Sequence, residues 1–531
     1  MTDPFADLDL GRDLLWGDLH KHMTGPGAPV DRMDEAVGYA REHLDVVTVL
    51  AYPFKWYRKG REGGVREETV GHDPDFDEWW AAVRRVAADR NEPGEFVTLP
   101  AYEWHGDRTR RGDHNVVFFE DPGPDAVRAA ETKADLQKHV VERDALALPH
   151  HTGYAVGSRG ADWDVFDPEL SPVMEVFSGH GSSEGVGTPV PMDANTSMGP
   201  RTTGGTLRDA LERGHRVGVV ASNDGPGLPG NFGSGLAGIW ATERTREGVR
   251  EALCARRTYG VTGDRMRLWW ELGGHPMGAD VDASDVGERA AEVRVDCPRP
   301  LDRVELVHDG AVVATYAHRD GAREETGVSR VLVEMGWGPT ADYGDFDATT
   351  VSWSGRLAVD GGRLTGVEPR FDGLGQRYER ADGEVRFDLH TTRDEADDAL
   401  LPEDAATGAV QGFVLEVRGE DAAVVLDLDD HERLSVPVED LRGRARVVPF
   451  LEESWERLER EFDLSREAFE NPDPAYHNAR KVKFHPACDR SACAATVRFD
   501  DLPTGAGTDC YYPRAVQVNG QCAWGSPVWV A

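Results

Sequence analysis

Lysine is nearly missing from this chain, with 7 residues against 52 arginines. Basic residues as a whole are outnumbered by carboxylates, 59 to 96, which leaves a formal net charge of -37. Such a charge repels phosphates, so nucleic acid and anionic membranes are excluded as broad-surface partners. Many carboxylates and few lysines suit a surface that stays soluble at high salt. We read a halophile's cytoplasm from this, ahead of a GC-rich codon bias that also favours Arg, Ala, Gly and Asp. Long apolar runs are absent too: none approaches the roughly 18 residues of a helical membrane span. The stretch MTDPFADLDLGRD has no basic n-region and no apolar h-region, so a Sec-type signal peptide is not expected there. Six cysteines are too few for a disulfide scaffold in 531 residues. Cys488, Cys493, Cys510 and Cys522 gather near the C-terminal end, but they form no CxxC pair. Ordinary buried thiols are preferred over a structural zinc site. No solenoid-length repeat and no low-complexity tract is present.

What is present falls into two textures. Up to about residue 265, short Val/Leu-rich runs alternate with amphipathic segments. The runs are 13–19, 45–51, 96–102, 115–119, 145–149, 173–178 and 216–221. The segments are 31–43, 76–90, 133–143 and 205–213. This alternation predicts a parallel sheet or barrel whose strands are buried on both faces. From 266 to 450 the runs shorten and alternate in polarity, as in AEVRVDC, GEVRFDLH and GFVLEVRG, which predicts an antiparallel β-domain, sandwich-like. A charged amphipathic helix is expected near 451–470, and β pattern returns after 481. The length suits two to four domains, and the change of texture divides the chain into two, 1–265 and 266–531.

Metal-ligand residue types recur at strand ends. The first run leads into His20-Lys21-His22. Side chains one residue apart on an extended strand face one side, so two imidazoles converge there, as a metal ion requires. The third run ends in Tyr102-Glu103-Trp104-His105, Asp113-His114 precede the fourth, and His150-His151 end the fifth. Glu175 and Ser178-Gly179-His180 close the sixth, and Asn223-Asp224 follow the seventh. In a (β/α) barrel, functional groups collect at this end of the strands.

In their order, WGDLHKH, AYEWHG, GDHNVVFF, LPHHTGY, EVFSGHGSSE and ASNDGPGLPG resemble the PHP (polymerase and histidinol phosphatase) superfamily. With HNARKVKFH, YYPRAVQVNG and AWGSPVWV near the other end, the chain looks like a two-domain branch of it catalogued as a domain of unknown function. The resemblance implies a distorted (β/α)7 barrel followed by a β-rich domain. It also implies a metal-dependent hydrolase, most often a phosphoesterase, that uses a metal-bridging hydroxide. Carried over by position, His20, His22, Glu103 and Asp224 would hold one ion. Glu103, as a bridging carboxylate, with His114 and one of His150 or His151, would hold a second. The departures fall together: Ala51-Tyr52 replace Asp-His, Asp224-Gly225-Pro226 replaces Asp-x-His, and GPGAPVD lacks a further His. They point to a binuclear centre with a third site erased. Two divalent ions, Zn, Mn or Fe, are the expected cofactors.

Around this centre, His180 and Glu184 are candidates for the general acid. Tyr52 could offer a hydroxyl to substrate. Lys55, Arg58 and Arg61, with Arg108 and Arg159, could bind an anion. The expected partner is a small, anionic substrate, and the β-domain could support a homo-oligomer. An amide or lactone hydrolase is the first alternative, although amidohydrolases place the bridging residue on strand four rather than three. A non-catalytic metal-binding or interaction protein is the second.

Overall fold

The computed structural model describes residues 3–24, 30–52, 54–58, 65–69, 74–105, 112–127, 133–192, 200–224, 229–230, 232, 234–318, 326–339, 350–373, 375–392, 410–431, 433–468, 473–505 and 507–531. For 24, 30–32, 54–58, 65–69, 74–76 and 133 it describes the backbone alone. The fold is mixed α/β, rich in strands and poor in helices.

Seven strands match the seven predicted runs: β1 (Asp13–Asp18), β2 (Val46–Ala51), β3 (Val97–Trp104), β4 (His114–Val117), β5 (Leu146–Pro149), β6 (Val173–Ser178) and β7 (Gly218–Ala221). Every residue of β2 and β3 is buried, which is why their sequences show no polar alternation. Between them run α1 (Val30–Arg41), α2 (Pro74–Asp89), α3 (Lys133–Glu142) and α4 (Leu207–Glu212). Trp79, Trp80, Val83, Val86 and Ala87 form the buried face of α2. Their spacing of one, three and four is that of one helical stripe.

The pairing departs from an all-parallel barrel. β1, β2 and β3 are parallel, but β4 pairs antiparallel with both β3 and β5. β6 and β7 are parallel in a separate small sheet. On its other side β1 continues antiparallel through β8 (Leu236–Ala241) and β9 (Thr258–Val261). Side chains bridge the gap from β7 to β9: Thr258 Oγ1 donates to Val219 O at 2.9 Å, and Val219 N donates to Ser526 Oγ at 2.9 Å.

The sheet does not stop at 265. β9 pairs with β11 (Cys522–Gly525), which pairs with β10 (Asp509–Gln517), so strands near the C-terminal end extend the sheet begun at residue 13. One core joins Trp240, Tyr259, Trp270, Tyr511, Trp524 and Trp529. A second core, drawn from residues 331–484, lies between the two antiparallel sheets of a sandwich. Its strands alternate as predicted, for example Glu384–Thr391. The expected 451–470 helix is shorter, α5 (Leu451–Phe462); Asp463 ends it in the left-handed conformation, φ 55°. Among the described residues no helix is long and apolar enough to cross a membrane.

Candidate metal centre

Strand ends build the site. His20 and His22 follow β1, Glu103 lies on β3 with His105 two residues on, and Asp113 precedes β4. His150 and His151 follow β5, Glu175 lies on β6, and Asp224 follows β7. Asp18, fully buried at the end of β1, ties two of these ends together. Its carboxylate accepts from the backbone N–H groups of His20, Asn223 and Gly230 at 3.1–3.2 Å. Asp224 N in turn donates to His20 O at 2.8 Å. Burial raises the Asp18 carboxyl to about 6 against those donors.

Three groups of ligand atoms result, each within 4.8 Å of one another: His20, His150, Glu175 and Asp224; Glu103, His105, Asp113 and His150; and His20, His22 and Glu103. Glu103 faces two ways. Its Oε2 lies 2.5 Å from His22 Nε2 and 3.9 Å from His20 Nε2, while Oε1 contacts His105 Nε2 and lies 3.4 Å from His150 Nε2. His20 Nδ1 is 2.8 Å from Glu175 Oε2, and its Nε2 is 3.3 Å from Asp224 Oδ1. Asp113 Oδ2 lies 3.6 Å from His105 Nε2 and 3.5 Å from His151 Nε2.

The donor set fits divalent ions. Four carboxylates, Glu103, Asp113, Glu175 and Asp224, are buried together, an arrangement that is costly without compensating positive charge. Asp224 Oδ2, His150 Nε2 and His151 Nδ1 are buried with no hydrogen-bond partner. His150 Nδ1 faces both ring nitrogens of His20, at 3.0 and 3.1 Å, a crowding of lone-pair donors that a cation relieves. Electrostatics report the same need. Burial opposes a charge on His20, yet Asp224 and Glu175 outweigh it and hold its pKa well above the usual value. Burial, then the neighbouring His20 and His151, push His150 well below it. Glu103 is pulled far below the carboxylate range, because His105 and His22 overcome its burial. His151 and Asp224 sit at φ 33° and 38°, a left-handed backbone that costs energy outside glycine and gathers at functional sites.

Of the residues expected from sequence, His20, His22, Glu103, His150 and Asp224 come together. His151 stacks on His150 with centroids 4.2 Å apart. His114 packs edge-on against Trp104 and enters none of the three groups, where Asp113 stands instead. His180 lies beside the cluster, Nε2 3.5 Å from Asp224 Oδ2, with Tyr154 Oη 2.8 Å from its Nδ1. Glu184 is held elsewhere: its buried carboxylate accepts from Tyr512 Oη, Arg514 Nη1 and Trp524 Nε1 at 2.7–2.8 Å, all on β10 and β11. Tyr52 walls the site, 4.6 Å from the His22 ring. Arg159 reaches within 3.7 Å of Asp113 Oδ2. The side chains of Lys55 and Arg58, and all of Arg61, Arg108 and Gly225-Pro226, lie outside the described residues. The cysteine cluster divides: Cys488 and Cys493 are neighbours, while Cys510 and Cys522 are buried in β10 and β11.

His105, Asp113 and Glu175 stand among the metal-ligand residue types at strand ends, but the resemblance assigns none of them to an ion. His105 repeats the His-x-His spacing, two residues after Glu103 on the same strand face. Sequence reasoning left out Tyr154 and Arg201. The Arg201 guanidinium stacks 4.6 Å over Tyr154 and donates to Ser182 O and Ser183 Oγ.

Comparison with known proteins gives relatives without an assigned activity. An uncharacterized protein of Chlamydia pneumoniae is 28% identical over 330 residues, covering 58% of this chain and 49% of its own. One of Chlamydia trachomatis is 24% identical over 331 residues, with the same coverage. The chain thus spans about half the length of these curated relatives. A solved two-domain protein from Bacteroides vulgatus, containing a predicted PHP-like metal-dependent phosphoesterase, aligns at 13% identity with a TM-score of 0.30, over 81% of this chain and 96% of that one. The model of a family described as a protein of unknown function, DUF3604, matches residues 45–149 and 222–373, the segments that carry Glu103, His105, Asp113 and Asp224.

Proposed function

We propose that this chain is a metal-dependent hydrolase, acting on a phosphoester at a two-metal centre in a distorted PHP-type barrel. The observation that carries the reading is Glu103, a buried carboxylate whose two oxygens face two different sets of ligand atoms. His20, His22, Glu175 and Asp224 would hold one ion, His105, Asp113 and His150 the other, with Glu103 between them. Zn, Mn or Fe held by such mixed ligands would supply Lewis acidity, activating water and stabilising charge on the attacked group.

The chain's own residues do the remaining work. His180 turns Nε2 toward Asp224 and the cluster, and Tyr154 Oη stands at its Nδ1. As an imidazolium, with Nδ1–H donating to Tyr154 Oη, His180 would give its Nε2 proton to a leaving oxygen and return to the neutral ring. Glu184 is not placed to do so: three donors from β10 and β11 already occupy its carboxylate, so we assign it to holding the 178–184 turn. Arg159, beside Asp113, is a cation placed to orient an anionic substrate. Tyr52 closes the wall beside His22.

The test is metal analysis of protein purified at high salt, followed by a panel of phosphoesters, amides and lactones, with His20→Ala as control. Phosphoester turnover, with metal and turnover both lost in His20→Ala, is expected. Turnover of amides or lactones alone would move the chemistry to that class. A metal-loaded protein inert to the panel would make it a metal-binding module. Full metal content and activity in His20→Ala would end the assignment.

A further inference from the structure

Away from the metal centre, two thiols lie where the sandwich meets the four-stranded sheet that contains Ala291–Asp296 and Ala494–Phe499. Cys488 sits in the short strand Cys488–Asp489, paired with Arg330 of the sandwich strand Val328–Gly336. A 3-10 turn, Arg490–Ala492, follows; Asp489 caps it by accepting from Ser491 N at 2.8 Å. The turn folds the chain back, so that Cys493 N donates to Arg490 O and Cys493 O accepts from Cys297 N, both at 2.8 Å. The two sulfurs end 3.3 Å apart. Cys493 is fully buried, whereas Cys488 is half-buried.

We propose that Cys488 and Cys493 are a reversible oxidation site, closed to a disulfide by a peroxide. Covalent S–S bonds measure about 2.05 Å, so the sulfurs have roughly 1.3 Å to travel. A thiolate metal site is the rival use of paired cysteines. It needs further ligands, and among the described residues no group of three or more ligand atoms includes a cysteine. The pair is also asymmetric, as a nucleophile and a resolving thiol should be. The hydrogen bond with Cys493 lowers the Cys488 thiol to about 7, with help from Arg299 and Arg330 and against its burial. The same bond and burial push Cys493 well above the usual thiol value.

The chemistry balances with one peroxide. Cys488 thiolate attacks a peroxide oxygen; an S–O bond forms, the O–O bond breaks, and hydroxide leaves to become water. Cys493 sulfur then attacks the Cys488 sulfenic acid. The S–S bond forms, the S–O bond breaks, and the departing hydroxide takes the Cys493 proton. Two thiols lose two electrons and one hydrogen peroxide becomes two waters. The product ties the sandwich edge at Cys488–Asp489 to the start of the strand Ala494–Phe499, which belongs to a separate four-stranded sheet.

The experiment treats the native full-length chain with hydrogen peroxide, removes the oxidant, denatures, alkylates and maps the six cysteines by mass. Free thiols should fall from six to four. The tryptic peptides 484–490 and 491–498 should be joined, and dithiothreitol should separate them. In Cys493→Ser, a 1,3-diketone that traps sulfenic acids should label Cys488. Cys254, the other half-buried thiol, is the internal control. Six free thiols after oxidation, oxidation confined to Cys254, or a bridge to any other cysteine would overturn the proposal. Because the wild-type map stands alone, a folding defect in Cys493→Ser does not protect it.

Discussion

At the scale of single residues, the centre turns on which neighbours of a ligand are themselves ligands. Asp113 and His114 are adjacent, and sequence favoured His114. The structure gives Asp113 a place among the ligand atoms and packs His114 against Trp104. The two therefore separate cleanly by mutation. Asp113→Asn and Glu175→Gln should each weaken metal binding by at least as much as loss of an outer-shell partner, about 10–100-fold, measured by competition with a chromophoric chelator. His114→Gln should leave that affinity within about twofold, since surroundings rather than adjacency decide ligation. Equal losses in all three would show that His114 ligates too. His20 and His22 were legible from a strand's period of two, and Glu103, His150 and Asp224 from the positions that the resemblance implies. Glu175 was legible only as a carboxylate on the sixth run, since no local pattern shows that it faces His20 across 155 positions of sequence.

At the scale of elements, two placements lead to measurable consequences. In α3, His139 is buried and its Nδ1 lies 2.8 Å from Arg143 Nη1. Burial and then Arg143 lower its pKa to about 4. A lowered histidine leaves the unfolded chain to take up the proton first. Stability is therefore complete above about pH 6.5 and falls as pH drops toward 4. His139→Gln should flatten this acid limb, by at most about 3 kcal/mol, read from urea unfolding at pH 7 and pH 4.5. An unchanged limb would remove His139 from that account. The second placement is the turn after β6, which carries His180 and is anchored through Glu184 to Tyr512, Arg514 and Trp524. Arg514→Met strips the cation from a buried carboxylate and should cost about 3–5 kcal/mol. Tyr512→Phe removes one hydrogen bond and should cost about 1–3 kcal/mol. Metal content should survive both at low temperature, because none of the three donors is among the proposed ligands. Helices and central strands were legible at this scale from period and composition. The antiparallel turn of β4 was not, because burial on both faces writes the same apolar run for either direction.

At the scale of the molecule, the sequence changes texture near 265, but packing continues across that point. β9 reaches β11 across more than 260 residues, and Trp270, Tyr511, Tyr512, Trp524 and Trp529 share one core with α1 and α2. No local signal in the sequence states that the last strands return to the first sheet. The sandwich is different, since its apolar interior is a separate cluster. Its entry and exit strands lie side by side, Ser329 opposite Asp489 and Arg330 opposite Cys488, which is the geometry of an insertion. Two deletions then have opposite outcomes. A fragment of residues 1–265 leaves β9 as an open edge and removes the aromatic half of its core, so it should aggregate or stay unfolded. A chain lacking 331–487, its ends joined by a short Gly/Ser linker, keeps the main sheet and every proposed metal ligand. It should remain folded and bind metal. Some stability should be lost, because Phe232 N no longer donates to Phe371 O and Arg370 no longer pairs with Asp264. Circular dichroism, thermal unfolding and metal content of the two fragments read this directly. A folded, metal-loaded 1–265 fragment would show that the first texture is a self-sufficient domain after all, with the C-terminal strands an accessory to it.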